Sequence, residues 1–501
     1  MRIKIKIVSF LFLLTVFGCN STVQTVNKQE KYEPNWSSLR KHNTPEWLDG
    51  MKFGMYFHWG PQTVACELED KKLNNLDAIE YWTGEKFDAK VWVDLMENAG
   101  AQFGGPVAWH GSGLLNWDSD LTDWNSVNKG PKVDIYGSLA TELRKRNMPV
   151  ISSFHTGDFW SRMWGPLSKK DSTYLNPYND NSAYATSNNG RIASVIFDGW
   201  YDRISEAIGK YQPDMVWFDT GFGGTVDKEL KKEMYKGRLL SDQSNVHRGV
   251  PEYYQQKLIS YYFNKGIDWG KEVEVIYKSH DIPAGIGMRD IENGNLKGLQ
   301  YDPWIADIDM SHHVDWTATW FYNPKNPIKD AGTLIDMLVD ITSKNGRILL
   351  NVPPMADGSF SDSVKKELYA IGTWLKINGQ AIYNTIPWIY YGEGPTELTL
   401  TGHHAQGKHS GKFIPKYTSE DFRFTQNGKI LYAICMEWPG ESVAIKTLGS
   451  NGKLYPNTIK SISLIGSKET LSWAHTPDAL VVQLPKQKPC EYAYVLKIER
   501  F

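Results

Sequence analysis

The chain is poor in cysteine: four in 501 residues, none in a CxxC or Cys/His ligand spacing. That spacing excludes a structural zinc of the usual kind. A Walker-type phosphate loop and a GxGxxG turn are also missing, so phosphate-bearing cofactors lack their usual cradle. No sign of charge dominates, with 55 Lys and Arg against 57 Asp and Glu, whereas a nucleic-acid partner asks for a basic stripe. No metal, no cofactor and no nucleic acid are expected. Aromatic residues are what the chain has in excess: 20 Trp, 26 Tyr and 19 Phe. Such rings fill cores and also make flat platforms for sugars, and composition leaves both readings open. The length exceeds what one compact core usually holds, which points to two domains.

The first twenty residues, MRIKIKIVSFLFLLTVFGCN, stand apart from any fold. Arg2, Lys4 and Lys6 form a basic head, and Ile7 to Phe17 an apolar stretch too short to span a bilayer comfortably. The stretch stops at Gly18-Cys19, which resembles a bacterial lipoprotein signal over residues 1–19. The resemblance implies export to the periplasm or outer membrane of a Gram-negative bacterium, with a lipid anchor to the membrane at Cys19. Plain secretion with cleavage nearby is the alternative. Residues 20–44 read as a tether between anchor and domain. Of the other cysteines, Cys66, Cys435 and Cys490, only the last two share a segment, and the sequence leaves their pairing open.

From 45 to 388 short apolar runs alternate with amphipathic helix patterns. Strands are expected at 52–59, 102–110, 149–155, 215–219, 273–279, 285–292, 304–311 and 347–354. Helix patterns lie between them, such as 88–100 with Val91, Leu95 and Met96 on one face and Gly100 as stop, 136–147 and 331–346. Strand followed by helix implies a parallel sheet, and eight such strands imply a closed (β/α)8-like TIM barrel. After residue 388 the character changes. Residues 389–501 hold short alternating runs, ELTLTG, FRFTQ, KILYAICM, SVAIKTL, LVVQLP and AYVLKI, separated by turn residues. They read as a C-terminal antiparallel β-sandwich, so the fold class is α/β with a second, all-β domain.

In a parallel barrel the reactive side chains stand at the C-terminal ends of the strands, where the loops leave an open face. His58 closes the first strand, His110 the second, His155 the third, Asp219 the fourth and Glu292 the sixth. One strand-final aspartate is ordinary turn chemistry. Five strands offering His, His, His, Asp and Glu to one face form a site. Two carboxylates among histidines and tryptophans suit glycoside hydrolysis, one attacking the anomeric carbon or activating water, the other protonating the leaving oxygen. The rival is a metallohydrolase in which His58, His110, His155 and His280 collect a zinc. Barrel metallohydrolases usually open with two closely spaced histidines on the first strand, and YFHWG carries one. A glycan binder that does not cleave has no need of facing carboxylates.

The stretches KFGMYFHWGP, PDMVWFD, LVDITSKNGRILLNVPPMADGSF and AIGTWLKINGQAIYNT resemble the α-L-fucosidases of glycoside hydrolase family 29, over residues 45–388 and in the same order. GPVAWHGSGLLNWDSDLTDWNSVNKGPKVDIYGSL and VIYKSHDIPAGIGMRDIENG are similar to one branch of that family. The resemblance implies a retaining exo-α-L-fucosidase acting on fucosylated oligo- or polysaccharides through a covalent glycosyl-enzyme ester. It makes Asp219 the nucleophile and Glu292 the acid/base, with Asp307 as second candidate. His58 and His110 would bind fucose hydroxyls and His155 would be a further substrate-binding pocket histidine, with Trp59, Trp117 and Trp217 as pocket walls.

Two departures stand out. Where the branch reads His-His-Asp-Gly-Phe, this chain reads Trp109-His110-Gly111-Ser112-Gly113, which puts Trp109 in a sugar-binding position. Asn293 replaces the arginine that follows the glutamate. Losing hydrogen-bonding groups should weaken the fit to plain fucose. A modified or unusually linked fucose, or another L-sugar of similar shape, is therefore expected among the substrates. A catalytically silent glycan-binding lipoprotein is the alternative outside the enzymes.

Overall fold

The computed structural model describes residues 30–68, 71–73, 75–155, 190–219, 250, 252–278, 282–312, 320–396, 415–452 and 459–501. The signal segment with Cys19, the run ELTLTG and His280 lie outside the described residues.

All eight expected strands form, in the expected order: β1 Phe53–Phe57, β2 Phe103–Trp109, β3 Ile151–His155, β4 Met215–Asp219, β5 Glu274–Lys278, β6 Met288–Asp290, β7 Trp304–Asp309 and β8 Gly346–Asn351. Each pairs in parallel with the next, and β1 closes the barrel on β8 with Phe53 opposite Ile348. β6 is shorter than the sequence implies, because Gly285 and Gly287 before it take left-handed φ of 82° and 75°. Side chains alternate along a strand, so every second residue enters the barrel. Tyr56, Phe103, Val107, Ile151, Met215, Trp217, Ile276, Met288, Ile305 and Leu349 form one buried interior cluster. The intervening residues, such as Phe57, Phe154, Phe218 and Val275, belong to the larger core shared with the helices.

Among the described residues six long helices accompany the barrel: α1 Ala89–Ala99, α2 Ile135–Lys145, α3 Gly190–Tyr211, α4 Glu252–Trp269, α5 Ala331–Ser343 and α6 Asp362–Asn378. α1 shows the local logic. Asp88 caps its N-terminus by accepting from the Lys90 amide at 2.8 Å, and Gly100 ends it at φ 84°. Its buried stripe is Trp92, Leu95, Met96 and Ala99, spaced i, i+3, i+4 and i+7. Val91, expected on that face, is 53% exposed because it lies one position off the stripe. Among the described residues no helix separates β5 from β6 or β6 from β7.

Two boundaries move. The tether expected over 20–44 gives way to packed chain from Tyr32 onward. The Tyr32 amide donates to Asn264 of α4 at 2.7 Å and its carbonyl accepts from the same side chain at 2.9 Å, while Leu39 is fully buried. Tyr32 and Leu39 supply an apolar face that the polar composition of the segment conceals. The sandwich begins before residue 389, since its edge strand β9 spans Ile386–Glu393. The strands β10 Phe422–Asn427, β11 Ile430–Cys435, β12 Ser442–Ile445, β13 Ile459–Leu464, β14 Trp473–His475, β15 Leu480–Gln483 and β16 Tyr494–Arg500 follow, and among the described residues they form antiparallel sheets ordered β13-β16-β11-β10-β9 and β12-β15-β14. Residues from both sheets, among them Phe422, Phe424, Val443, Ile445 and Leu480, share a single core. Cys435 and Cys490 are free thiols, each donating to a carbonyl oxygen (Glu437 at 2.9 Å, Tyr492 at 3.1 Å).

Candidate active site

The alternation that fills the barrel with apolar side chains continues to the strand ends and there changes chemistry. Two residues beyond Tyr56 stands His58, two beyond Trp217 stands Asp219, and two beyond Ile276 stands Lys278. Asp290, Asp307 and Asn351 follow Met288, Ile305 and Leu349 in the same way. A polar layer thus rests on an aromatic and aliphatic floor. Strand positions hold such groups rigidly, which suits a site needing fixed geometry.

Lys278 is the hub. Its ammonium pairs with Asp219, meets Glu292 Oε2 at 2.7 Å and lies 3.6 Å from Asp307 Oδ2. Because Asp219 and Glu292 touch one nitrogen, their nearest oxygens are held within two hydrogen-bond lengths, ~5.5 Å, of each other. The other Asp219 oxygen accepts from His155 Nδ1 at 2.6 Å. Burial alone would raise the Asp219 pKa, but the Lys278 and His155 charges outweigh it and hold the carboxyl well below its ordinary range. Burial would likewise lower Lys278, and Asp219, Asp307 and Glu292 keep it well above its ordinary value. Beneath them Asp307 accepts from Tyr56 Oη at 3.3 Å, and its amide donates to Asp290 at 3.0 Å. Burial, with the Glu292 charge adding and Lys278 opposing, brings Asp307 to about 7.

The three histidines gather on one side, with ring centroids 4.2 Å apart for His110 and His155 and 5.0 Å for His58 and His155. Asn351 donates to Asp309 at 2.8 Å and to the Trp320 carbonyl at 2.7 Å, so its Oδ1 is left to face His58 Nδ1 at 2.9 Å. His58 therefore carries its proton on Nδ1, which leaves its Nε2 as a lone pair, while His155 directs its Nδ1 to Asp219. His58 Nε2, His155 Nε2 and His110 Nδ1 are buried and find no hydrogen-bond partner among the described residues. Burial depresses His58 and His110 well below the ordinary histidine pKa, so their lone pairs stay available. Nitrogens of the three rings lie within 4.8 Å of one another, a set able to accept from clustered hydroxyls or to hold a metal ion.

The tryptophans divide. Trp217 joins the site: its ring lies 5.5 Å from His155 and under the Lys278 ammonium at 5.0 Å. Trp59 points away, donating to the Met355 carbonyl at 2.9 Å amid Trp82, Phe87 and Trp92. Trp117 donates to Glu206 of α3 at 2.8 Å. Trp109 belongs to the helix-facing core, 5.9 Å from Arg203 of α3. A register shift between Val107 and Trp109 turns that ring outward and leaves His110 to the pocket. Trp59, Trp109 and Trp117 thus support the site from behind and do not line it.

The family model for α-L-fucosidase matches residues 19–380, and that for the α-L-fucosidase C-terminal domain matches 416–499. The chain belongs to the α-L-fucosidase family. It is a glycoside hydrolase that removes terminal α-L-fucose, and this reading displaces the metallohydrolase and the silent binder. The tissue α-L-fucosidase of Homo sapiens is 24% identical over 98% of this chain and 96% of its own length. Among solved structures, the Thermotoga maritima α-fucosidase in complex with fucose superposes with a TM-score of 0.67 at 23% identity, covering 93% of this chain and 100% of that one. A Bacteroides thetaiotaomicron family 29 α-L-fucosidase, trapped as a covalent intermediate with 2-fluoro-fucosyl fluoride, gives 0.64 at 18% identity, over 94% and 97%.

Sequence reasoning about the fucosidase missed four residues. Lys278 and Asn351 close β5 and β8 as the histidines close theirs, so the same strand-end logic reaches them. Tyr56 required knowing which face of β1 enters the barrel. Trp320, 5.3 Å from His58, sits in a loop stretch without a motif.

Proposed function

We propose that this fucosidase acts with retention, Asp219 attacking the anomeric carbon and Glu292 serving as acid and then base. The observation that supports the reading is the shared Lys278 ammonium, which keeps the nearest oxygens of the two carboxylates within two hydrogen-bond lengths, ~5.5 Å, short of the roughly 6.5–9.5 Å of inverting enzymes. Asp219, kept ionised, forms the C1–Oδ bond as the C1–O bond to the leaving group breaks, and Glu292 passes its proton to the departing oxygen. Water then attacks C1, giving its proton to Glu292, and the ester to Asp219 is released. Glu292 is preferred over Asp307 because its side chain is 16% exposed, whereas Asp307 is 1% exposed and contacts Lys278 and Tyr56.

In this reading the lone pairs of His58 and His110 accept from sugar hydroxyls beside His155, and Trp217 gives an apolar wall. A methyl such as C6 of fucose gains only ~1–3 kcal/mol in an apolar pocket, so the hydroxyl contacts carry most of the discrimination. Tolerance of a modified or differently linked fucose is part of the proposal. So is export, with residues 1–19 as signal and Cys19 lipidated, which labelled fatty acid incorporated into wild type and absent from Cys19→Ser would test. For the mechanism, proton NMR of the first-formed sugar decides. α-L-Fucose supports retention, and the β anomer refutes it.

A further inference from the structure

The turn that carries Glu292 is held from two directions. On the barrel side the Ile291 amide donates to the Ile305 carbonyl at 2.9 Å and the Asn293 amide to the Asp307 carbonyl at 2.7 Å. Asn293 accepts from the Asp309 amide at 2.9 Å, and its left-handed φ of 43° lets Gly294 donate back to Ile291 at 3.2 Å. On the far side the next residue, Asn295, reaches a buried cluster at the junction of barrel and sandwich. Its amide group donates to Asp340 Oδ2 of α5 and accepts from Lys344 at 3.3 Å. Asp340 Oδ2 also takes Lys344 at 2.6 Å, while its Oδ1 pairs with Nε of Arg423 on β10, Phe422–Asn427. Arg423 further donates to the Phe422 carbonyl at 2.8 Å and stacks 5.0 Å from the Tyr417 ring. Asp340, Lys344 and Arg423 are 1%, 0% and 3% exposed, so solvent screening does not weaken the chain of contacts.

We propose that Arg423 of the sandwich is a positioning residue for proton transfer: through Asp340 and Asn295 it fixes the turn that presents Glu292. The inference rests on Glu292 as acid/base. It gives the C-terminal domain a part in catalysis without touching the sugar. Asn295 is half-buried, so its truncation leaves the Asp340–Arg423 pair and the fold in place.

The test uses the full-length protein and two substrates. Departure of an activated aryl group needs little protonation, whereas that of an alkyl fucoside needs the acid, so a misplaced acid penalises only the second. Asn295→Ala should lower kcat/KM on the alkyl fucoside about tenfold or more while changing the aryl fucoside less than about twofold, with its melting midpoint close to wild type. Arg423→Lys, which keeps the charge beside Asp340 but not the planar guanidinium, should show the same selectivity to a smaller degree. An equal loss on both substrates, or no loss on either, overturns the proposal. Glu292→Gln is run alongside. If it shows no such selectivity, the assignment of Glu292 itself falls; if it does and the Asn295 and Arg423 variants do not, only the positioning role falls.

Discussion

Two buried polar clusters sit within this molecule, and they are finished to different degrees. At the barrel–sandwich junction Asp340, Lys344, Arg423 and Asn295 satisfy one another on every side. At the strand ends His58 Nε2, His110 Nδ1, His155 Nε2 and Trp217 Nε1 are buried and lack partners among the described residues. Leaving such a group unmade costs roughly 1–3 kcal/mol, so several gathered in one place are a cost that a ligand could offset. In the junction cluster the polar groups join elements; those at the strand ends are the ones a substrate would complete in the proposed mechanism.

The comparison breaks most visibly at Asp219. Asp219→Ala should lower kcat on an aryl fucoside by at least about 10⁴-fold while the protein still melts cooperatively. Next comes Lys278→Met, which leaves Asp219, Glu292 and Asp307 buried without their shared cation. A stability loss of ~3–5 kcal/mol is expected in chemical denaturation, together with loss of turnover. His58→Ala removes one hydroxyl acceptor and should reduce kcat/KM about 10–100-fold, with little change in melting midpoint. Smallest is the effect of Trp59→Phe or Trp117→Phe on substrate binding. These rings pack behind the site, so KM should stay within about twofold while the melting temperature falls.

Proton linkage sharpens the contrast within the site itself. Asp219, depressed on folding, contributes stability that is present above the unfolded carboxyl pKa of about 4 and is lost as pH falls below it. Asp307, raised to about 7, has the opposite sign: its contribution is fully present below about 4 and is lost as pH rises toward 7. Thermal melts of Asp307→Asn should therefore gain on wild type between pH 4 and 7. A difference that stays flat across that window would count against the raised value.

Much of this was legible before any coordinates. Strand patterns recur from 52 to 354 with helix patterns between most of them, so the barrel and its strand ends can be read, and with them three histidines and two carboxylates. The tryptophans were read less well. A strand's facing depends on parity, and the shift between Val107 and Trp109 reverses it without any mark in composition. Lys278 carries no signal in the sequence beyond its place at a strand end, because a lysine there ordinarily reaches solvent, and only three converging carboxylates make it a buried hub. The Arg423–Asp340–Asn295 chain links residues far apart in sequence, where no local pattern exists.

One measurement bears most directly on the central claim that Asp219 is the nucleophile. Wild-type protein would be incubated with 2-fluoro-fucosyl fluoride, digested and mapped by mass spectrometry. The account predicts a single added 2-fluoro-fucosyl group on the peptide containing Asp219, and none on Asp219→Ala. A label on another carboxylate, or an enzyme that turns over fucosides yet never accumulates a label, would contradict it.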